Sequence, residues 1–193
     1  KNRVDSSKGV TEVTIYADDH PGLFSRIAGA MAVSGASIVD AKIFTTTDGM
    51  ALDTFWVQDD NGEPFDRPDK LARLYARIEQ TLAGRLRPRD ELRNETGLPN
   101  RMEVFKVAPR VLIDNDASRT HTVIEVNGRD RRGLLYELTR ALSALNLQIG
   151  SAHITTFGET AVDVFYVKDV FGLQITHDSK IAQIRTVLLD VMK

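Results

Sequence analysis

Alternation of apolar and polar side chains marks the first ordered element of the chain. Between residues 10 and 17, apolar residues such as Val13 and Ile15 alternate with polar ones, and this period of two predicts a half-buried strand. Beyond a polar break that contains Pro21, apolar residues recur at helical spacing. They predict a helix that ends near Ser34-Gly35.

The pattern continues to predict regular elements as far as residue 82. A second strand at 36–46 and a third at 51–57 are joined by Asp48-Gly49, a dipeptide typical of tight hairpins. A second amphipathic helix follows, with an apolar stripe formed by Leu71, Leu74, Ile78 and Leu82. The segment therefore has the order strand–helix–strand–strand–helix, and we interpret the polar residues 1–9 before it as frayed or as a linker.

The whole pattern is repeated further along the chain. The loop Asp19-His20-Pro21-Gly22-Leu23 has a counterpart 111 positions later in Asp130-Arg131-Arg132-Gly133-Leu134, and each loop lies between a predicted strand and a predicted helix. Alternate residues of Ala41–Thr45 match those of Ala152–Thr156 at the same spacing. The strand Asp163–Val167 then matches the third strand of the first copy. The chain therefore contains two copies of one unit.

This order of elements predicts an α+β fold with two ferredoxin-like βαββαβ units, whose antiparallel sheets carry helices on one face. We place the first unit at 10–115, including a charged insertion at 84–108 that has the pattern of a solvated linker or hairpin, and the second at 120–193. The fourth strand of the first unit is predicted at 103–107 or 110–113, and that of the second unit is missing or truncated. The units should pair by their sheet edges or by their helix faces.

Composition excludes several classes of function. The 193 residues carry a formal net charge of −2, which gives no electrostatic case for binding nucleic acid or an anionic membrane. No apolar run is long enough to span a bilayer, and the chain begins with Lys1 rather than Met, so we expect a cytoplasmic fragment of a longer protein. Cysteine is absent and no histidines stand at metal-ligand spacing, so we expect neither a metal site nor catalytic residues within this chain.

The repeated loop resembles a known family. An Asp-x-x-Gly-Leu motif that follows a strand, opens a helix and precedes a β-hairpin is similar to that of the ACT domain, the amino-acid-sensing module of metabolic enzymes. The second copy departs from the usual pattern, because Arg132 stands where a proline normally precedes the glycine. Over residues 10–193 the pair also resembles the C-terminal regulatory end of the bifunctional PII uridylyltransferase/uridylyl-removing enzymes, on the basis of Asp19–Phe24, Ala152–Glu159 and Asp163–Val167.

The second resemblance implies a glutamine sensor. In that family glutamine suppresses uridylylation of the PII signalling protein and promotes removal of the uridylyl group. The resemblance also implies upstream catalytic domains that use magnesium, whereas this fragment needs no cofactor and takes glutamine as an effector. The implied partners are a small amino acid, the upstream domains of the same chain, and the PII protein or a second copy of the chain.

A free amino acid needs donors for its carboxylate and an acceptor for its ammonium group. The first turn of a helix supplies unpaired N–H groups, a glycine there lets a ligand approach the backbone, and a nearby aspartate can pair with the ammonium. In ACT pairs the ligand generally lies between the loop of one unit and the second strand of the other. Carried onto this chain, the resemblance points to Asp19, His20, Gly22, Asp130, Arg131 and Gly133. Candidates for reading a side-chain amide are Asn127, Ser37, Asp40, Gln148 and Ser151.

Simpler interpretations of the same residues remain open. Asp19 and Asp130 could be helix caps alone, and Gly22 and Gly133 could serve only the geometry of the turn. The tandem could be a structural dimerisation module, or a regulatory module that senses a different amino acid. An RNA-binding pair would need exposed aromatic residues and a basic face; Phe55, Trp56, Phe165 and Tyr166 lie on the third strands, but the charge is wrong and no RNP pattern occurs. An enzyme would need a catalytic grouping, and the sequence contains none.

Overall fold

Two similar runs of strands and helices follow one another in the computed structural model, which describes residues 1–95, 108–157 and 160–193. The strands are β1 (Asn2–Asp5), β2 (Val10–Asp18), β3 (Ser37–Lys42), β4 (Met50–Gln58), β5 (Arg110–Asp114), β6 (Thr122–Arg129), β7 (Gln148–Phe157) and β8 (Thr160–Lys168). The helices are α1 (Leu23–Ser34), α2 (Pro68–Leu82), α3 (Pro88–Glu95), α4 (Leu134–Ala144) and α5 (Asp178–Val191). None of these helices is long and apolar enough to cross a bilayer.

A single antiparallel sheet runs through both repeats in the order β1-β2-β4-β3-β7-β8-β6-β5. The repeats meet edge to edge, where β3 pairs with β7 through Asp40 with His153, Ala41 with Ala152, and Lys42 with Ser151. Ala41 and Ala152 are equivalent positions of the two copies, so a local two-fold axis passes between them. The predicted α+β fold class is confirmed, and the sheet edges form the junction that joins the units.

The edge strands correct the predicted order of elements. The stretch 1–9 is not a linker, because β1 pairs with β2 along the outer edge of the first repeat. The prediction that 110–113 completes the first unit is also wrong, because β5 pairs with β6 of the second. Each repeat is therefore ββαββα, with its edge strand before the unit rather than after it.

This order also accounts for the fourth strand of the second unit, which the sequence pattern does not show. The place beside β6 that a last strand of the second repeat would occupy is taken by β5. The hydrogen bonds between β5 and β6 join residues on both sides of the predicted boundary between the units, which was placed between 115 and 120. The predicted limits of the units are otherwise untested. The alternative segment 103–107 lies outside the described residues.

The charged insertion is folded where the structure describes it. Its residues Pro88–Glu95 form α3, which packs against α1, and Pro88 is buried in this contact. The approach is close: a Cβ added to Gly29 of α1 would lie 2.7 Å from the Cβ of Pro88. The prediction of a solvated linker is therefore wrong for this part of 84–108.

The hydrophobic core lies between the sheet and the helices. Phe55 of β4 and Phe165 of β8 are fully buried beneath them, at equivalent positions of the two repeats. Burying a phenylalanine stabilises a fold by about 1.5–3 kcal/mol. Because neighbouring strand residues face opposite ways, Trp56 and Tyr166 lie on the other face of the sheet, where Lys42 Nζ is 5.7 Å from the centre of the Trp56 ring.

Candidate ligand-binding site

Two pockets lie where the repeats meet, and each takes one wall from each repeat. The first-loop pocket, of about 520 Å³, lies between the loop 19–25 and the segment 146–150 that enters β7. The second-loop pocket, of about 600 Å³, lies between the loop 130–136 and the segment 35–39 that enters β3. The two-fold relation between the repeats therefore gives two equivalent pockets, each combining the loop of one repeat with the second main strand of the other.

Eight of the predicted site residues line these pockets. Asp19, His20, Gly22 and Gln148 line the first-loop pocket. Asp130, Arg131, Gly133 and Ser37 line the second-loop pocket. Ser37 and Gln148 are equivalent positions of the repeat, so the same strand position faces the loop in both pockets.

Three predicted residues line neither pocket. Asp40 lies at the junction of the repeats, where its carboxylate is 3.1 Å from Nδ1 of His153. Ser151 is paired with Lys42 at the same junction. Asn127 donates from Nδ2 to Oε1 of Glu125 at 2.7 Å, along its own strand. The side chains of Asp40 and Asn127 therefore engage neighbouring strand residues, and the predicted role of all three residues in reading an amide remains untested.

The helices after the two loops begin with the same backbone geometry. Gly22 and Gly133 are the N-cap residues of α1 and α4, and both have φ of 84°, a left-handed conformation that favours glycine. Neither helix has a side-chain cap, so the interpretation of Asp19 and Asp130 as N-cap residues is wrong. The N–H groups of Leu23 and Leu134, which start the two helices, donate to the carbonyls of His20 and Arg131 at 3.1 and 3.0 Å. The next two N–H groups of each helix have no partner inside the helix, so each pocket is bordered by potential donors.

The Asp19 carboxylate is held by a hydroxyl group from the segment that follows β3 in the same repeat. Its Oδ2 accepts a hydrogen bond of 2.7 Å from Oγ1 of Thr45, which also lines the first-loop pocket. The sequence prediction singled out Asp19 but not Thr45, although the spacing of 111 matched Thr45 with Thr156. Positioning by a hydroxyl leaves the carboxylate able to accept further hydrogen bonds at the mouth of the pocket.

A buried aspartate lines each pocket, and the sequence prediction missed both. Asp53 of β4 lines the first-loop pocket at 1% exposure, and Asp163 of β8 lines the second at 2%. Among the described residues, Oδ1 of each has no hydrogen-bond partner. The sequence carries a signal for them, since they stand in the apolar register of their strands beside Phe55 and Phe165 and recur at a spacing of 110.

Burial changes the ionisation of these two carboxyl groups. Desolvation, reinforced by the nearby Asp19 carboxylate, raises the pKa of Asp53 to about 7, although the Phe44 backbone acts in the opposite direction. Desolvation and the Asp130 carboxylate likewise raise the pKa of Asp163 to about 7. Each pocket therefore pairs an exposed aspartate on its loop with a buried aspartate that is partly protonated at neutral pH.

Arginines distinguish the second loop from the first. Arg132, at the position of Pro21, donates from Nε to the Ala32 carbonyl at 2.9 Å and from Nη2 to the Val33 carbonyl at 3.0 Å. The same carbonyls in the last turn of α1 also accept from the Gly35 N–H and from Arg77, so Arg132 adds a donor from the other repeat and the departure from the usual proline serves the contact between the repeats. Arg131 donates to Glu137 and, at 3.0 Å, to the Val191 carbonyl.

The two pockets also differ in their fixed charges. Lys168 and His121 line the first-loop pocket, and Gln58 takes the place of Lys168 in the second. Burial, with the charge of Lys168, lowers the pKa of His121. The first-loop pocket therefore contains two carboxyl groups and one ammonium group, which complements a zwitterion. No group of three or more metal-ligating side chains occurs in the part of the chain that the structure describes.

The two repeats have the α+β fold of ACT domains in tandem. The model of the ACR family N-terminal ACT domain matches residues 117–192, which contain the second repeat from β6 to α5. Over nearly its whole length the chain is homologous to bifunctional uridylyltransferase/uridylyl-removing enzymes.

Three such relatives show how far the similarity extends. The enzyme of Azospirillum brasilense is 61% identical over 192 residues, which is 98% of this chain and 21% of that protein. The enzyme of Gluconobacter oxydans is 58% identical over 94% of this chain and 19% of its own length. The enzyme of Rhodospirillum rubrum is 52% identical over 95% of this chain and 20% of its own length. The chain therefore spans about one fifth of the length of the relatives it matches.

Proposed function

We propose that this chain is an amino-acid-sensing regulatory module whose ligand is glutamine. The observation that carries the proposal is the pair of equivalent pockets, each bordered by the first turn of a helix, an exposed aspartate on the loop before that helix and a buried aspartate on a strand. The N–H groups suit the ligand's carboxylate and the aspartates suit its ammonium. A volume above 500 Å³ leaves room for a free amino acid in either pocket.

In this proposal the module acts on catalytic domains elsewhere in a longer cytoplasmic protein. Those domains would attach uridylyl groups to the PII nitrogen signalling protein and remove them, and they would supply the magnesium-dependent chemistry; the uridylyltransferase/uridylyl-removing activity in the names of the relatives supports this proposal. Glutamine would change their balance only by binding two arrangements of the module with different affinity. The pockets support such a mechanism because each is built from both repeats, so a bound ligand favours one relative placement of the two.

The choice of glutamine is tested by calorimetry on the chain. We expect heat of binding from L-glutamine and little or none from L-glutamate or L-alanine, because amide groups such as that of Gln148 complement an amide ligand. Binding of another amino acid in preference would make this the sensor of that compound. No binding of any amino acid would favour a structural dimerisation module.

Substitution of the loop aspartates tests where glutamine binds. Asp19→Ala or Asp130→Ala should each weaken binding in its own pocket by about 1–3 kcal/mol, the scale of a lost charged hydrogen bond. Asp18→Ala is the matched control, since Asp18 is an exposed neighbour that lines neither pocket. Unchanged affinity in both loop variants would remove these carboxylates from the site.

A further inference from the structure

Each buried aspartate has one carboxyl oxygen that no described residue satisfies, although the Phe44 backbone hydrogen-bonds to the Asp53 carboxyl. Oδ1 of Asp53 has no hydrogen-bond partner although the side chain is 1% exposed, and the same holds for Asp163 at 2%. A buried polar atom without a partner is costly to the fold, and native proteins rarely retain one without a reason. Both carboxyl groups line a pocket, and both occupy strand positions that are otherwise apolar. Their recurrence in the two repeats links the unpaired oxygen to the pocket.

Charged groups face Asp53 from several directions. Asp19 and His20 approach from the loop before α1, Lys168 from the end of β8, and His121 from the residue before β6. Asp19 is the one that acts on the ionisation of Asp53, and it has the same sign. The charge that acts on the buried carboxyl in the first-loop pocket is therefore negative, and a cation placed beside Asp53 would favour its ionised form.

Asp163 likewise has a loop aspartate as the charge that acts on it, although the other residues around its pocket differ. Asp130, Arg131 and Arg132 line the second-loop pocket from the loop before α4. Asp59 and Asp60 line it from the turn after β4. Asp130 is again the charge that acts on the buried carboxyl, while both arginines are engaged by hydrogen bonds to other groups.

We propose that Asp53, and Asp163 in the second-loop pocket, is the buried counter-charge for the cationic group of the bound amino acid, and that binding expels the proton of this carboxyl group. The inference rests on the proposed function, since it assumes that these pockets bind an amino acid. The ligand keeps its three ammonium protons. The O–H bond of the aspartic acid breaks, its proton passes to the solvent, and the carboxylate pairs with the ammonium.

Release of protons can be counted by calorimetry. L-glutamine is titrated into the 193-residue chain at pH 7 in phosphate and in imidazole, two buffers with different heats of ionisation. Because the carboxyl pKa is about 7, we expect about half a proton released for each occupied pocket. At pH 8.5 the release should nearly vanish, and below pH 7 the affinity should fall by up to tenfold per pH unit for each pocket.

Variants assign the proton to its source. Asp53→Asn should abolish the release from the first-loop pocket and weaken binding there by at least tenfold, Asp163→Asn should do the same in the second, and the double variant should release none. Asp18→Asn makes the same chemical change at an exposed site outside both pockets, so it should behave as the parent chain. Carbon-13 NMR of the aspartate carboxyl groups gives a second readout, in which glutamine should move the Asp53 signal toward its ionised position.

The outcomes separate this inference from the proposed function. If no amino acid binds to the parent chain, the proposed function fails and the inference fails with it. If glutamine binds with the same heat in both buffers, the function stands and the proton release is refuted. Persistence of the release in the double variant would equally overturn the assignment to these two carboxyl groups.

Discussion

Without a ligand, the chain should lose stability as the pH rises, because of Asp53 and Asp163. Each carboxyl has a pKa of about 7 in the folded protein and 3.8 as the unperturbed value. A group whose pKa is raised by folding binds its proton more tightly in the native state. Its contribution to stability is therefore complete below pH 3.8 and is lost as the pH rises through 7. Native ion-paired aspartates act in the opposite direction.

The size of the effect follows from the two pKa values. Each pH unit between them changes the free energy of unfolding by about 1.4 kcal/mol per carboxyl group. The change from pH 5 to pH 7 is therefore about 2 kcal/mol for each group, once the flattening near pH 7 is included. Aspartates such as Asp5 and Asp59, whose pKa is lowered, act in the opposite direction in every variant, so their effects cancel in comparisons between variants.

Urea unfolding at pH 5, 6, 7 and 8 measures this dependence. We expect Asp53→Asn and Asp163→Asn each to remove about half of the difference in slope between the parent chain and the double variant. The test is the slope rather than the absolute stability, because an asparagine brings amide donors into a buried site. Asp18→Asn should keep the parent slope. If the parent and the double variant gave parallel curves between pH 5 and pH 8, the buried carboxyl groups would be ionised in the empty protein and the reasoning would be wrong.

Two further substitutions test the packing of the repeats, both by urea unfolding. Gly29→Ala should destabilise the fold by about 1–3 kcal/mol, since the new Cβ would lie 2.7 Å from Pro88; an unchanged or higher stability would mean that α3 moves aside easily. Arg132→Ala removes two hydrogen bonds to the carbonyls of Ala32 and Val33 and should cost about 1–3 kcal/mol, and Arg132→Lys should recover little because an ammonium group cannot reproduce the planar geometry. A full recovery by lysine would show that charge alone supplies the contact.

The central elements could be predicted because their signals are local. The alternation around Val13 belongs to a strand with one covered face, and the stripe from Leu71 to Leu82 belongs to a helix that packs on one side. The two Asp-x-x-Gly-Leu loops could be recognised from their position between these patterns. The structure places Gly22 and Gly133 in the same left-handed conformation at the two helix starts.

The edge strands could not be assigned in the same way. β1 and β5 have only 4 and 5 residues, and each has hydrogen bonds to one neighbour. A short strand of this kind shows little alternation, and its partner depends on which edge is free in the folded chain rather than on nearby residues. The stretch 110–113 was therefore recognised as a strand but assigned to the wrong repeat.

The loop residues of the site could be predicted from the sequence, whereas its buried residues could not. Asp19 and Asp130 were found because they belong to a motif, whereas Asp40 and Ser151 were selected by residue type and face the junction between the repeats instead. Asp53 can be seen in the sequence as an ionisable residue at an otherwise apolar position of its strand. Its meaning depends on burial, which a sequence pattern does not give, and on the absence of a hydrogen-bond partner for Oδ1 among the described residues.

The junction of β3 and β7 makes the two pockets interdependent. It consists of three residue pairs centred on Ala41 and Ala152, and each pocket takes one wall from each of the repeats that this junction joins. Under the proposed function, an amino acid that favours one relative placement of the repeats from one pocket would change the affinity of the other pocket, and by thermodynamic reciprocity the second would change the first to the same degree. Response to a metabolite can then be steeper than one independent site would allow, without any contact between the two bound molecules.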